Sequence, residues 1–302
     1  MPFHKSVRAC TILACLAFVS IVARAALPTY TAIYVFGDSY SDVGNAYLAT
    51  HGADPAAPYY NGRFSNGPIW VDHVAGALGL PLFPYLDTVD KGTDYAVGGA
   101  WVTQPQTILS QTVPDVPQQV LIYLAAHGNK ADPKALYIIQ GGGNDILGNL
   151  SSGIKAQTLG FQIALGISES ELLLRQAGAR NFIIPNLFNA GLLPAAQVGP
   201  GTSTFAKAAS TATNQSLNTL LALEMLLEGV RIQRIDVFTL LQAVQTAPTH
   251  FGFVNVTTPC LNSALVVCTN PDPDHTFFWD SYHPTEFGHA FFAVTVVNAL
   301  SQ

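Results

Sequence analysis

Short, almost uninterrupted apolar runs alternate with longer helical stretches along this chain. Ile33-Tyr34-Val35-Phe36 breaks off at Gly37-Asp38-Ser39, and Ala135-Leu136-Tyr137-Ile138-Ile139 breaks off at Gly141-Gly142-Gly143-Asn144-Asp145. Asn181-Phe182-Ile183-Ile184 stops at Pro185-Asn186, and Arg231-Ile232-Gln233-Arg234-Ile235-Asp236 makes a plausible fourth run. Runs of this length, rich in β-branched and aromatic residues and bounded by turn formers, predict strands buried on both faces. The stretches 156–178 and 205–229 predict helices, each ending on a glycine suited to a left-handed C-terminal turn. A third helix is predicted over 285–300. Strands alternating with helices imply a mostly parallel sheet covered on both sides, an α/β fold of three α/β/α layers. Such sheets bind ligands beyond the carboxyl ends of their strands, where two of these runs end in glycine-rich turns.

No repeat, heptad or Pro/Ser-rich linker divides the chain, so one domain is expected. Of 302 residues, 49% are hydrophobic and 11% charged, enough apolar surface for a large core and too little polarity for wholesale disorder. With 13 basic and 19 acidic residues the formal charge is -6, which argues against a nucleic-acid partner. The N-terminus changes this picture. Lys5 and Arg8 precede an apolar run from Ala9 to Val22, which ends at Ala23-Arg24-Ala25. That order is the pattern of a secretory signal peptide over residues 1–25, and the run is shorter than the roughly 20 residues that span a bilayer. A retained anchor is the bland alternative. A lipoprotein is weaker, because Cys15 in Ile12-Leu13-Ala14-Cys15 sits inside the apolar run. The expectation is a secreted (extracellular or periplasmic) domain over 26–302. Losing Lys5, Arg8 and Arg24 would bring its charge to -9. Only Cys260 and Cys268 then remain, and an isolated pair in an oxidising compartment most simply forms one small disulfide. A metal or redox site is the alternative, but CxxC spacing is absent.

Four segments carry candidate chemistry. Ser39, at a strand-to-helix turn, can expose its hydroxyl near the positive end of a helix dipole, although serine at such a turn is also a routine helix cap. His283, in Trp279-Asp280-Ser281-Tyr282-His283-Pro284-Thr285, stands just before the last helix, with Asp280 close enough to turn back onto it. A serine nucleophile needs a base, and the base needs an acceptor that fixes its tautomer. Ser39, His283 and Asp280 supply those types. For the negative oxygen of an acyl-transfer intermediate there are two donor candidates, Asn144 in Gly142-Gly143-Asn144-Asp145 and the glycines of Tyr95-Ala96-Val97-Gly98-Gly99-Ala100.

Taken together these segments resemble the GDSL esterases and lipases of the SGNH hydrolase superfamily, in the branch of secreted lipase- and phospholipase-like members. The usual Gly-Asp-Ser-Leu block is Gly37-Asp38-Ser39-Tyr40 here, continued by Ser41-Asp42-Val43-Gly44-Asn45. The second, third and last blocks match Asp94–Ala100, Gly142–Asp145 and Asp280–His283. Gly62-Arg63-Phe64-Ser65-Asn66-Gly67 also looks like a segment of the longer secreted members. The resemblance implies a flavodoxin-like sheet, Ser39 as nucleophile, His283 as base and Asp280 as its orienter. It further implies an oxyanion hole from the N–H of Ser39, Gly99 and Asn144, with Gly98 open as the alternative to Gly99. No cofactor is implied. Tyr40 departs from the usual leucine, expected to be a packing change, and Asp94 departs from the commoner asparagine.

The expected activity is hydrolysis of acyl esters through a seryl ester. The alternatives are a phospholipase A or lysophospholipase with acyl transfer to alcohols, a carbohydrate acetylesterase, and an inactive secreted binding module. Substrates would be small-molecule or lipid esters, with at most transient contact with a lipid surface. No serine lies in G-x-S-x-G, and neither H-E-x-x-H nor G-x-x-x-x-G-K-[ST] occurs. Asp272, Asp274 and His275, between prolines, read as a solvated loop rather than a cation site, and Phe277, Phe278, Trp279 and Tyr282 as core and pocket wall.

Overall fold

Each apolar run becomes a strand, in a computed structural model that describes residues 27–90 and 92–302; the expected signal peptide lies outside the described residues. β1 (Ile33–Phe36) is followed by a short helix, α1 (Asn45–Ala49), and by α2 (Trp70–Leu78). A hairpin of β2 (Gln106–Ile108) and β3 (Gln111–Val113) leads into α3 (Val116–Ala126), where the Asp115 carboxylate caps the helix by accepting from the Gln118 N–H at 2.8 Å. β4 (Leu136–Ile139), α4 (Gly143–Gly148), α5 (Ala156–Ala177) and β5 (Asn181–Pro185) come next. The chain then forms α6 (Thr202–Leu221), β6 (Arg231–Ile235), α7 (Val237–Thr246) and α8 (Glu286–Leu300).

The main sheet has the order β1-β4-β5-β6, all parallel, with Ile33 opposite Leu136 and Ile138 opposite Ile183. A fifth, irregular segment extends it past β1: Val35 N–H donates to Thr93 O at 3.1 Å, and Tyr95 N–H donates to Val35 O at 2.7 Å. Counting that segment, the spatial order is 2-1-3-4-5, the flavodoxin-like one. Helices α3, α5 and α6 pack together as one layer, and α2 and α8 as the other, where Trp70 and Phe292 meet with ring centroids 4.5 Å apart. Ile33, Val35, Phe36, Ile138, Ile139 and Ile183 are fully buried between the layers, as the unbroken apolar runs require. The α5–α6 contact depends on small residues. A side chain at Gly160 would meet the Thr213 backbone N at 2.6 Å and the Ala212 Cβ at 2.7 Å, so only glycine allows this approach.

One predicted helix end moves. α5 closes on Gly178 as expected, with φ 121°. The helix predicted to reach 229 instead ends at Leu221 and gives way to a 3-10 turn at Glu224–Leu226. Leu223 and Leu226 there are 75% and 80% exposed, so the helical spacing continues beyond the surface that could hold it.

Candidate active site

β1 ends at Phe36, and the turn that follows holds Ser39, 5% exposed, between the sheet and α1. α1 begins at Asn45, so Ser39 is not its cap. The turn is fixed by a side chain from α3. Gln119, fully buried, accepts from the Gly37 N–H at 2.8 Å and donates its own N–H to Gly37 O at 2.8 Å. Asp38 accepts from Tyr40 N–H at 3.0 Å, and burial pushes its carboxyl up to about 6 in spite of that hydrogen bond. Asp42 faces inward and accepts from the N–H groups of Gly44, Asn45, Ala46 and Gly98 at 2.5–3.0 Å. It thereby ties the serine segment to the Asp94–Ala100 segment. Asp94, which replaces the commoner asparagine, is fully buried and accepts from Val43 N–H at 2.7 Å and Ala96 N–H at 3.0 Å. Burial, with the neighbouring Asp42 charge, raises its carboxyl well above the usual range and favours the neutral form.

The loop before α8 delivers the histidine. His283 Nε2 lies 2.7 Å from Ser39 Oγ, and His283 Nδ1 lies 2.7 Å from Asp280 Oδ2. Asp280 Oδ1 also accepts from the N–H groups of Tyr282 and His283, both at 2.7 Å, and Tyr59 donates its hydroxyl to Oδ2 at 2.7 Å. Burial would raise this carboxyl, yet the adjoining His283, the Tyr282 N–H and the Tyr59 hydroxyl hold it below the ordinary carboxylate range. The loop is braced on two sides. Within the Gly62–Gly67 segment, Ser65 donates to Pro284 O at 2.9 Å and Asn66 Oδ1 accepts from the Glu286 N–H at 2.8 Å. Opposite, the Cys260–Cys268 disulfide is formed, and the N–H groups of Cys260 and Leu261 donate to Phe278 O at 2.9 Å and Trp279 O at 2.6 Å.

The open donors face the same cleft, of about 270 Å³, lined by Ser39, Tyr59, Gly98, Gly99, Asn144 and His283 among others. The Gly98 N–H is already bound to Asp42, whereas the Gly99 N–H has no hydrogen bond among the described residues. Gly99 has φ 79°, and a side chain there would run into Ile108 Cδ1 at 2.1 Å. Asn144, on the first turn of α4, donates one amide hydrogen to Ala100 O at 3.0 Å, which leaves the other for a ligand. Asp145 holds the neighbouring loop by accepting from the N–H groups of Val102 and Thr103 at 2.9 and 3.0 Å.

All five residues singled out from the sequence therefore converge beyond the carboxyl end of the sheet. Tyr40 does more than pack: its hydroxyl donates to Tyr282 O at 2.6 Å and links the serine turn to the histidine loop. Gln119 and Tyr59 carry no local signal, because each acts only through a residue distant in sequence. Asp272 and His275 pair with each other at 2.7 Å in an exposed 3-10 turn. Phe277, Phe278 and Trp279 are buried as expected, and Tyr282 is half-exposed.

The chain is similar to known proteins over most of its length. The chain is 26% identical to the thermolabile hemolysin of Vibrio parahaemolyticus over 275 residues, covering 86% of this chain and 62% of that one. It is 28% identical to a GDSL esterase/lipase of Arabidopsis thaliana, covering 89% of this chain and 88% of the relative. Among solved structures, an aryl esterase of M. smegmatis superposes with a TM-score of 0.49 at 14% identity, over 88% of this chain and 95% of the other. The profile of GDSL-like lipases and acylhydrolases matches residues 33–295. With that span of the fold accounted for, the chain belongs to the GDSL-like lipase/acylhydrolase family, enzymes that hydrolyse esters.

Proposed function

We propose that this protein is a secreted serine esterase or lipase that hydrolyses acyl esters through a Ser39–His283–Asp280 triad. The observation that carries the reading is the unbroken line of 2.7 Å contacts from Ser39 Oγ through the His283 ring to Asp280 Oδ2. Asp280 keeps the proton on Nδ1, which leaves Nε2 as the acceptor facing the serine. As Ser39 Oγ attacks the ester carbonyl, its proton passes to Nε2. The tetrahedral oxygen receives the N–H groups of Ser39 and Gly99 and the free amide hydrogen of Asn144. Collapse of the intermediate breaks the ester C–O bond, and the imidazolium gives its proton to the departing alkoxide. Water then attacks the seryl ester with His283 again as base, and the carboxylic acid leaves with Ser39 regenerated. Secretion is supported by the leader-like residues 1–25 and by the disulfide, and the single-domain reading of 26–302 by one large core cluster that takes in residues from Tyr30 to Leu300.

A fluorophosphonate probe tests this reading directly. It should label the mature protein once, at Ser39, and Ser39→Ala should abolish both labelling and hydrolysis of p-nitrophenyl esters while leaving the melting temperature unchanged. Labelling at another serine, or full activity in Ser39→Ala, would overturn the assignment.

A further inference from the structure

Next to the catalytic cleft lies a second cavity, of about 50 Å³, bounded by α7 and α8. Its walls include Leu240, Leu241 and Val244 from α7 and His289, Phe291 and Phe292 from α8. Phe277, Pro284, Tyr40 and Phe188 also line it, the last two with their rings stacked 4.9 Å apart at 22°. The same two rings wall a small cavity of about 10 Å³ that also touches Ser39, Asn144 and His283. Tyr40 and Phe188 thus form a wall common to the apolar compartment and to the cavity at Ser39. The polar exception in its wall is His289, 1% exposed, with neither ring nitrogen hydrogen-bonded. Burial brings this imidazole down to about 3, so the wall carries no charge at neutral pH.

We propose that the compartment between α7 and α8 is the acyl-chain subsite, entered between Tyr40 and Phe188, and that it selects short unbranched acyl groups over acetyl. The inference rests on the triad reading above, since its ligand is the acyl group carried by Ser39. The wall it shares with the cavity at Ser39 argues for that occupant. An uncharged apolar wall rewards methylene groups and excludes sugars and charged acids. Each methylene moved from water into such a site favours kcat/KM about fourfold, so butanoate should exceed acetate by about fifteenfold. The small volume sets the upper limit: octanoate should gain nothing more.

The test is a series of p-nitrophenyl acetate, butanoate and octanoate with the mature protein and three variants. Val244→Phe fills the compartment, and Leu240→Trp does so from a half-buried position that accepts bulk more readily. The butanoate-to-acetate ratio of kcat/KM should fall to near one in both, and the ratio is read only from folded, active molecules. Phe188→Val should widen the entrance and make octanoate the best of the three. An unchanged ratio in both filling variants, with Ser39 still labelled by fluorophosphonate, would overturn the subsite and leave the hydrolase reading intact. Failure of Ser39 to be labelled in the unaltered protein would overturn both.

Discussion

Single side chains divide here into those that meet the substrate and those that hold the turn. Asn144→Ala removes one oxyanion donor, so kcat should fall roughly 100- to 1,000-fold, with a small change in melting temperature because the amide also binds Ala100 O. Steady-state kinetics beside a thermal melt check this, and an unchanged kcat would exclude the role. Gln119 never reaches the cleft, yet it meets both polar groups of the Gly37 peptide. Gln119→Leu orphans the Gly37 N–H and should cost about 1–3 kcal/mol of stability. Gln119→Glu keeps an acceptor for that N–H and should recover part of the loss in denaturant unfolding. Equal stability of the leucine variant and the parent would show that the clamp is dispensable. The proposed reacting residues stood out in the sequence because Ser39 and Asn144 follow glycines in turns after apolar runs, and Asp280 and His283 share one short polar block just before the last helix. Gln119 and Tyr59 were not, because a clamp across 82 residues or a hydroxyl across 221 leaves no local pattern.

Between elements, the clearest titration belongs to the α5–α6 layer. Glu171 on α5 accepts from Arg175 at 3.0 Å, and Arg175 reaches on to Glu224 at 2.6 Å, beyond the end of α6. Burial is the main reason its carboxyl rises from 4.5 to about 7, with Arg175 opposing and Glu224 adding to the shift. The folded chain therefore keeps a proton that the unfolded chain releases from about pH 4.5. Its contribution to stability is complete below that pH and is lost as pH rises through about 7. Glu171→Gln keeps an acceptor for Arg175 and removes the charge. It should melt at the parent's temperature at pH 4 and above it at pH 8; coincident melts at pH 8 would sink this account. Strands and long helices were readable because apolar continuity and terminal glycines act over neighbouring residues. The end of α6 was not, since it depends on where the α5 surface stops. The β2–β3 hairpin was missed because three-residue strands such as Gln106–Ile108 lack a usable alternation.

At the scale of the molecule, the disulfide braces a loop rather than the sheet. The bridge closes a short ring whose backbone is hydrogen-bonded to residues 278 and 279, immediately before Asp280. Loop closure of this size is worth roughly 2–3 kcal/mol in the chain-entropy model. A Cys260→Ser/Cys268→Ser double variant should keep the far-ultraviolet circular dichroism of the parent but lose activity at a lower temperature. Matching inactivation curves would show that the brace is idle. The separation between nucleophile and base has a different consequence. Ser39 and His283 are 244 residues apart, so a growing chain carries the serine long before it carries anything to activate it. At ribosomal speeds of about 5–20 residues per second, that interval is roughly 10–50 s. On the proposed triad, ester-cleaving power would arrive only once His283 has been made. By the same logic, a chain divided between α6 and β6 yields two inert pieces, and turnover of a coloured ester would report their reunion.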